Sequence, residues 1–378
     1  MLRALFLVLG LILAPVARAE VSAILIGVSD YSDASGIADL KGPANDVLLL
    51  RDVLDRQGVT NVKVLADGIP GATRPTLGAI LGVLTEKAAE VGQGDFVYIH
   101  YSGHGTQQPD DNGDEVDGLD EVLLPADAGP ASRGRKAVEN GLTDDALGAA
   151  IDRITAKGAL VWLVLDSCHA GTGLRSAASA VADRYVDPEG LGLPPAPDIA
   201  MDETVTDDDL PKNDRVIAFY SAQSSERARE VDLSAEDAPE AWFGLFSARM
   251  AAQLDGNPGQ SFRQLFQATM REMNDKTTPG AARLQTPMWE GGLIDTGVFG
   301  ADPKIAARRF ELRDDVMLAG RVHGLTQGTV VGLFASPSDP EDAILGYGQI
   351  TESAAATSVL RAVSEGCRPD PASLCAAC

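Results

Sequence analysis

The sequence predicts an α/β protein built on a mostly parallel sheet with helices on both faces, followed by a small β domain. Three observations carry this. Short apolar runs alternate with helical patterns in βαβα order from residue 21 onward. Those runs are continuously apolar rather than alternating, as in strands buried on both faces. After about residue 300 the text changes to β-rich runs separated by Gly, Pro, Asp and Ser turns. A length of 378 residues at 45% hydrophobic composition suits one large domain and a smaller one.

The first nineteen residues have a basic start at Arg3, an apolar run from Leu5 to Leu13 and a small-x-small end at Ala17-Arg18-Ala19. That pattern reads as a secretory signal, with the mature chain beginning near Glu20 in a periplasm or outside the cell. The apolar run is well short of the roughly 20 residues that cross a bilayer. The order then runs VSAILIGVS (21 to 29), a helix over 45 to 56, VTNVKVLA (59 to 66), a helix over 74 to 91, and DFVYIHYS (95 to 102). An acidic loop, EVLLPAD (121 to 127), a helix opening at Thr143-Asp144-Asp145, and ALVWLVLDS (159 to 167) follow.

Residues 172 to 213 are poor in pattern and rich in Ala, Pro, Gly and Asp, which reads as a long mobile loop or linker. RVIAFYSA (215 to 222), helices near 242 to 254 and 261 to 274, and QTPMWEGG (285 to 292) complete a main domain over 20 to 299. A β domain is expected over 305 to 365, then a cysteine-containing tail over 366 to 378 whose abrupt end reads as a truncation.

The formal net charge is -24, and loss of Arg3 and Arg18 with the signal takes it to -26. Such a chain repels nucleic acid and anionic membranes. Of four cysteines, Cys367, Cys375 and Cys378 lie in the tail, leaving Cys168 alone in the main domain. The tail's Cys375-x-x-Cys378 has no thioredoxin-like strand pattern before it, which disfavours a redox or zinc reading.

Parallel sheets gather functional groups beyond the carboxyl ends of their strands. DFVYIHYS runs into Gly103-His104-Gly105, and ALVWLVLDS runs into Cys168-His169. If the two strands are neighbours, His104 faces Cys168 and can take its proton, making a nucleophilic thiolate, then return a proton to a leaving amine. The N–H groups of Gly105 and Cys168 could hold an oxyanion. Singly, a cysteine after a strand is more often a small buried hydrophobe and a histidine in a glycine turn more often structural; together they form two halves of a dyad. Asp166 lies two residues before Cys168, on its face of the strand end, where a carboxylate favours a basic substrate side chain.

The motifs Y-S-G-H-G (101 to 105) and D-S-C-H-A-G (166 to 171) resemble the paired signatures of metacaspases and bacterial caspase-like peptidases. The resemblance extends to K-G-P-A-N-D (41 to 46), D-G-L-D-E (117 to 121), T-D-D (143 to 145) and Y-S-A-Q (220 to 223) and covers roughly 20 to 295. The Q-A-C motif of true caspases is absent. The resemblance implies a caspase-like three-layer α/β/α sandwich with large-subunit-like (20 to 171) and small-subunit-like (214 to 299) parts. It implies an endopeptidase cutting after Arg or Lys, with Asp46 and Ser102 joining Asp166 in the substrate pocket.

It further implies self-cleavage in the 172 to 213 loop, where Arg175, Arg184 and Lys212 are available. The chemistry needs no cofactor. Calcium is the activator the resemblance suggests, with Asp144 and Asp145 as ligands, but Arg175 stands where the family has an acid. The acidic run offers Asp110, Asn112, Asp114 and Glu121 as in an EF-hand loop, with Glu115 in place of the turn glycine. The expected partners are proteins or peptides with basic residues before the cut bond; the competing reading is a catalytically silent caspase-fold binding or scaffold protein.

Overall fold

The computed structural model describes residues 19–110, 118–132, 135–168, 181–194, 213–223, 226–234, 238–256, 259–274, 285–301, 309–336, 339 and 341–363. In chain order, β1 (Val21–Gly27), α1 (Pro43–Arg56), β2 (Asn61–Ala66), α2 (Leu77–Glu90) and β3 (Phe96–Ser102) come first. Next are β4 (Gly105–Pro109), β5 (Leu119–Leu123), β6 (Leu142–Thr143), α3 (Asp144–Thr155), β7 (Leu160–Asp166) and β8 (Val181–Asp183). Then come β9 (Val216–Tyr220), β10 (Arg229–Asp232), β11 (Trp242–Gly244), α4 (Leu245–Gly256), α5 (Phe262–Met273) and β12 (Met288–Gly291). The C-terminal strands are β13 (Leu312–Arg313), β14 (Val316–Met317), β15 (Val330–Leu333), β16 (Gly346–Ser353) and β17 (Ser358–Ala362).

The main sheet has the order β12-β9-β7-β3-β1-β2. All neighbours are parallel except β12, which closes the edge antiparallel to β9. Successive side chains of its central strands enter two separate cores, as the period of two requires. Ile24, Ile26, Val97, Ile99, Val161 and Leu163 pack on one face with α2 and α3. Leu25, Phe96, Tyr98, Trp162 and Val164 pack on the other with α1, α4 and α5. This is the three-layer α/β/α arrangement, and burial on both faces explains why these strands read as unbroken apolar runs.

Helix starts follow the sequence chemistry. Thr76, Thr143 and Ser261 accept from the amides of Ala79, Ala146 and Gln264, and Ser261 forms a full capping box with Gln264. Pro43 opens α1, where its missing N–H costs nothing.

Two smaller antiparallel sheets depart from the expected layout, while the C-terminal one is the expected β domain. EVLLPAD contributes β5 to a sheet ordered β4-β5-β6, outside the main sheet, and the stretch read as an acidic loop opens with β4. The segment expected to begin a helix at 242 is first β11, and its helix starts at Leu245. The patternless linker holds β8, which pairs with β10 in a sheet ordered β11-β10-β8. Its residues 181–194 are therefore structured, and the expectation of a uniformly mobile loop does not hold for them. The C-terminal strands form a five-stranded sheet, β13-β14-β17-β16-β15, over a small core of Met317, Ala319, Ile350 and Leu360.

No helix among the described residues is long and apolar enough to cross a membrane. The signal-like residues 1–18 and the tail cysteines lie outside the described residues.

Trp162 centres the second core, fully buried, with ring centroids 4.3 Å from Tyr98 and 5.1 Å from Phe262. Trp162→Ala should lower the unfolding free energy by about 3–5 kcal/mol. Its indole N–H has no partner among the described residues. Trp162→Phe therefore keeps ring contacts while deleting an unpaired donor and should lose less than half as much in urea titration.

Candidate active site

β3 and β7 are paired so that Ser102 lies opposite Asp166. His104 and Cys168 each follow two residues later, past the carboxyl ends of adjacent parallel strands. The turns touch: a Cβ at Gly105 would sit 2.1 Å from the carbonyl oxygen of Cys168, so only glycine fits there.

His104 is held from every side. Its amide donates to the Tyr31 hydroxyl (3.0 Å), and its carbonyl accepts from the Tyr101 hydroxyl (3.0 Å). Ring Nε2 lies 2.9 Å from the Ala38 carbonyl, which can only accept. That fixes the proton of the neutral ring on Nε2 and leaves Nδ1 as the basic nitrogen. Nδ1 is buried with no hydrogen-bond partner among the described residues. Burial pushes His104 down to about 4, against the opposing pull of the Ala38 and Arg184 backbones.

Cys168 is also fully buried. Its Sγ accepts from the Ala228 amide at 2.8 Å. Burial pushes the thiol up to about 12, with the Asp183 and Asp166 carboxylates adding to the rise and the Ala228 amide opposing it. In this state the site rests as neutral thiol and neutral imidazole.

Cys168 is packed with Ala222, Ala228 and Tyr185, and Arg184, the residue before Tyr185, lies against the Cys168 backbone. The Arg184 carbonyl oxygen accepts from the amides of Gly105 (3.1 Å) and Cys168 (3.3 Å), and the Arg184 amide donates to Ala228 (3.0 Å). Its guanidinium is completely buried among three carboxylates: Asp46 at 2.7 Å, Asp166 at 3.1 Å and Glu230 at 3.4 Å. It also donates to the Asp166 carbonyl at 3.0 Å.

The carboxylates are themselves oriented. Asp46 accepts from Ser102 Oγ (2.7 Å) and the Gly244 amide (2.9 Å). Asp166 accepts from Ser247 Oγ (2.6 Å) and its amide (3.1 Å). Glu230 accepts from the amides of Lys41 (3.1 Å) and Gly42 (2.8 Å). Gly42 and Gly244 form walls: a Cβ at either would lie within 3 Å of the guanidinium. Burial opposes the charge on Arg184, but Asp166, Asp46 and Glu230 together raise its pKa. Burial lifts Asp46 to about 6 even with Arg184 beside it.

The structure thus gathers Asp46, Ser102 and Asp166 around the Arg184 side chain and the amides of Gly105 and Cys168 around its carbonyl, while His104 Nδ1 and Cys168 Sγ are not hydrogen-bonded to each other. Glu230, Ser247 and the glycine walls were not anticipated. His100, on the same strand as His104, is a different case: it lies between Tyr98 Oη (3.2 Å) and Ser247 Oγ (3.3 Å), and burial lowers it to about 3.

Asp144 and Asp145 occupy the first turn of α3 behind the Thr143 cap. One Asp144 oxygen is buried without a partner, and burial raises its pKa, yet no three His, Cys, Asp or Glu side chains converge on a metal position among the described residues. Arg175, Lys212, His169 and 111–117 lie outside the described residues.

A family model for the caspase domain of peptidase family C14 matches residues 21–296. The chain belongs to the caspase-domain peptidase family. It is similar to metacaspase-6 of Arabidopsis thaliana, 32% identical over 153 residues covering 39% of this chain and 38% of that protein. Metacaspase-1 of Mycosarcoma maydis is 34% identical over 158 residues, covering 40% and 36%. The matched segment thus spans little more than a third of these relatives. The crystal structure of a Geobacter sulfurreducens protein superimposes with a TM-score of 0.51 at 19% identity, covering 77% of this chain and all of that one, and supports the fold.

The depressed His104 gives a pH signature. The unfolded chain takes up this proton near 6.5 and the folded chain only near 4, so stability present above 6.5 is lost as pH falls through that window. The loss approaches about 3 kcal/mol for a fully buried ring. Asp46, raised to about 6, acts oppositely, its contribution growing as pH falls below 6. Comparing Cys168→Ala with Cys168→Ala/His104→Gln isolates the histidine: the double variant's unfolding free energy should fall less between pH 6.5 and 4. Parallel curves would contradict the assignment.

Proposed function

We propose that the chain is an exported cysteine endopeptidase that cuts after Arg or Lys and processes itself between Arg184 and Tyr185. One observation carries the reading: the chain's own arginine fills the carboxylate pocket while its carbonyl oxygen lies between the amides of Gly105 and Cys168. A basic side chain in the pocket and a carbonyl oxygen on two amides support the reading that this peptide bond is the one cut. Export rests on the signal-like residues 1 to 19 alone.

In the proposed reaction Nδ1 of His104 takes the thiol proton, and the thiolate attacks the Arg184 carbonyl carbon. The oxygen gains negative charge against the two amides. The carbon–nitrogen bond to Tyr185 then breaks, His104 protonates the departing amine, and a thioester joins Arg184 to Cys168. Water, deprotonated by His104, attacks the thioester, releasing the Arg184 carboxylate and restoring the thiol. Asp46, Asp166 and Glu230 bind the basic side chain and reject an acidic one, which would meet three carboxylates. Ser102 and Ser247 act through those carboxylates and are positioning residues.

The test uses purified chain and its Cys168→Ala variant. The parent should yield two fragments, with Tyr185 as the new amino terminus by mass spectrometry, and Cys168→Ala should stay whole. Arg184→Ala should suppress that cut. Peptides carrying Arg or Lys before the bond should be hydrolysed, and Asp peptides should not. Equal hydrolysis by parent and Cys168→Ala would overturn the reading.

A further inference from the structure

Beside the arginine pocket lies a second charged site that the caspase-type chemistry does not require. Asp183, immediately before Arg184, is opposite Arg229 in the β8–β10 ladder. Its carboxylate lies 3.1 Å from Nη1 of Arg227 and 3.8 Å from Nε of Arg229. All three side chains are largely withdrawn from water, at 19%, 13% and 12% exposure. The Arg227 guanidinium also stands 5.1 Å from the ring centroid of Tyr185, the residue after the proposed cut.

We propose that Arg227 and Arg229 form a subsite selecting an acidic residue immediately before the basic one, so that the preferred substrate reads acidic-basic across the two positions before the cut, with an aromatic residue favoured just after it. The inference rests on the proposed cleavage after Arg184 and deepens it.

An acidic side chain at this place gains the charge-assisted hydrogen bond that Arg227 gives Asp183 and the attraction of Arg229 beside it, and low exposure limits screening by water. A neutral side chain gains neither, and a lysine brings a like charge against both guanidiniums. The location makes this selective: the chain is strongly acidic overall, and the neighbouring pocket holds three carboxylates, so the two adjacent positions demand opposite charges. Backbone pairing along β10 supplies sequence-independent binding, while side chains at successive positions supply the choice.

The two arginines also compensate an electrostatic cost. The Asp183 carboxylate adds to the burial that raises the Cys168 thiol. An acidic substrate residue beside the nucleophile would hinder thiolate formation; Arg227 and Arg229 offset its charge.

The test uses internally quenched peptides spanning Val-Ala-Asp-Arg-Tyr-Val and the versions with Ala or Lys in place of Asp. With the parent enzyme kcat/KM should fall in the order Asp, Ala, Lys, with about tenfold between Asp and Ala, the effect of one charge-assisted pair. In Arg227→Gln/Arg229→Gln the Asp to Ala ratio should fall to about one, and in Arg229→Glu the Lys peptide should overtake the Asp peptide. In the intact chain, Asp183→Lys should slow appearance of the Tyr185 terminus. Equal kcat/KM for the three peptides in the parent, or an Asp preference that survives in the Gln variant, would overturn the subsite. Failure of the parent to cut any of the three above the Cys168→Ala background would instead overturn the cleavage reading, and the subsite with it.

Discussion

The site depends on one buried cation. The Arg184 guanidinium joins the start of α1 through Asp46, the end of β7 through Asp166 and β10 through Glu230, with no exposure to water. Three carboxylates this close and this dry are held together by what sits between them. Taking each from water costs several kcal/mol, recovered only while a well-placed opposite charge and further donors are present. Ser102, Ser247 and the amides of Gly42, Lys41 and Gly244 supply the donors; Arg184 supplies the charge. Emptied, the pocket must admit water, bind protons or capture another cation. Burial holds Asp46 at about 6 even when it is paired.

The same occupancy bears on the proposed Cys168–His104 pair. With the Arg184–Tyr185 segment seated, Cys168 and His104 are withdrawn from water, and burial acts in opposite directions on the two groups because each is destabilised in its charged form. The thiol rises and the imidazole falls, so the thiolate–imidazolium pair is disfavoured while the linker segment is in place. The Ala38 carbonyl limits the cost by fixing one tautomer in advance, leaving Nδ1 to accept the proton without ring reorganisation. Chemical competence and pocket occupancy are therefore linked through solvation.

How much of this the sequence carried depends on what each residue's neighbours in the chain could reveal. The alternation of apolar strands with helices made the three-layer sheet legible, and His104, Cys168 and Asp166 sit at ends of strands whose runs are unambiguous. Asp46 and Ser102 needed the family resemblance, since a carboxylate in a helix's first turn has an ordinary explanation. Glu230 and Ser247 were not legible. Each lies more than sixty residues beyond Cys168, Glu230 in a four-residue strand and Ser247 in the opening turn of α4, and their roles exist only once β10 and α4 are folded against β7. The linker hid its order for a related reason: β8 is three residues long and takes its hydrogen bonds from β10, so it needs no apolar alternation of its own. Arg184 was visible as a basic residue in that loop, but not as the occupant of the pocket.

A cut after Arg184 does not by itself empty the site. The new terminus stays joined to Cys168 through residues 169 to 183, so it remains an intramolecular ligand at high effective concentration, still paired with β10 and still offering its guanidinium to three carboxylates. What cleavage changes is the electrostatics at the other end. A neutral carbonyl between two amides becomes a carboxylate held against the nucleophilic sulfur, and a thiolate there faces a like charge in a water-poor space. Separation from Tyr185 also removes the ring that Arg227 covers, together with the Tyr185 backbone's bridge to Gly105. Both losses fall on the retained end, while a competing substrate with an uncut bond keeps the neutral carbonyl and the contacts beyond it. The balance between linker and substrate is thus shifted by the difference between an amide and a carboxylate at a single atom position, next to the only thiol among the described residues.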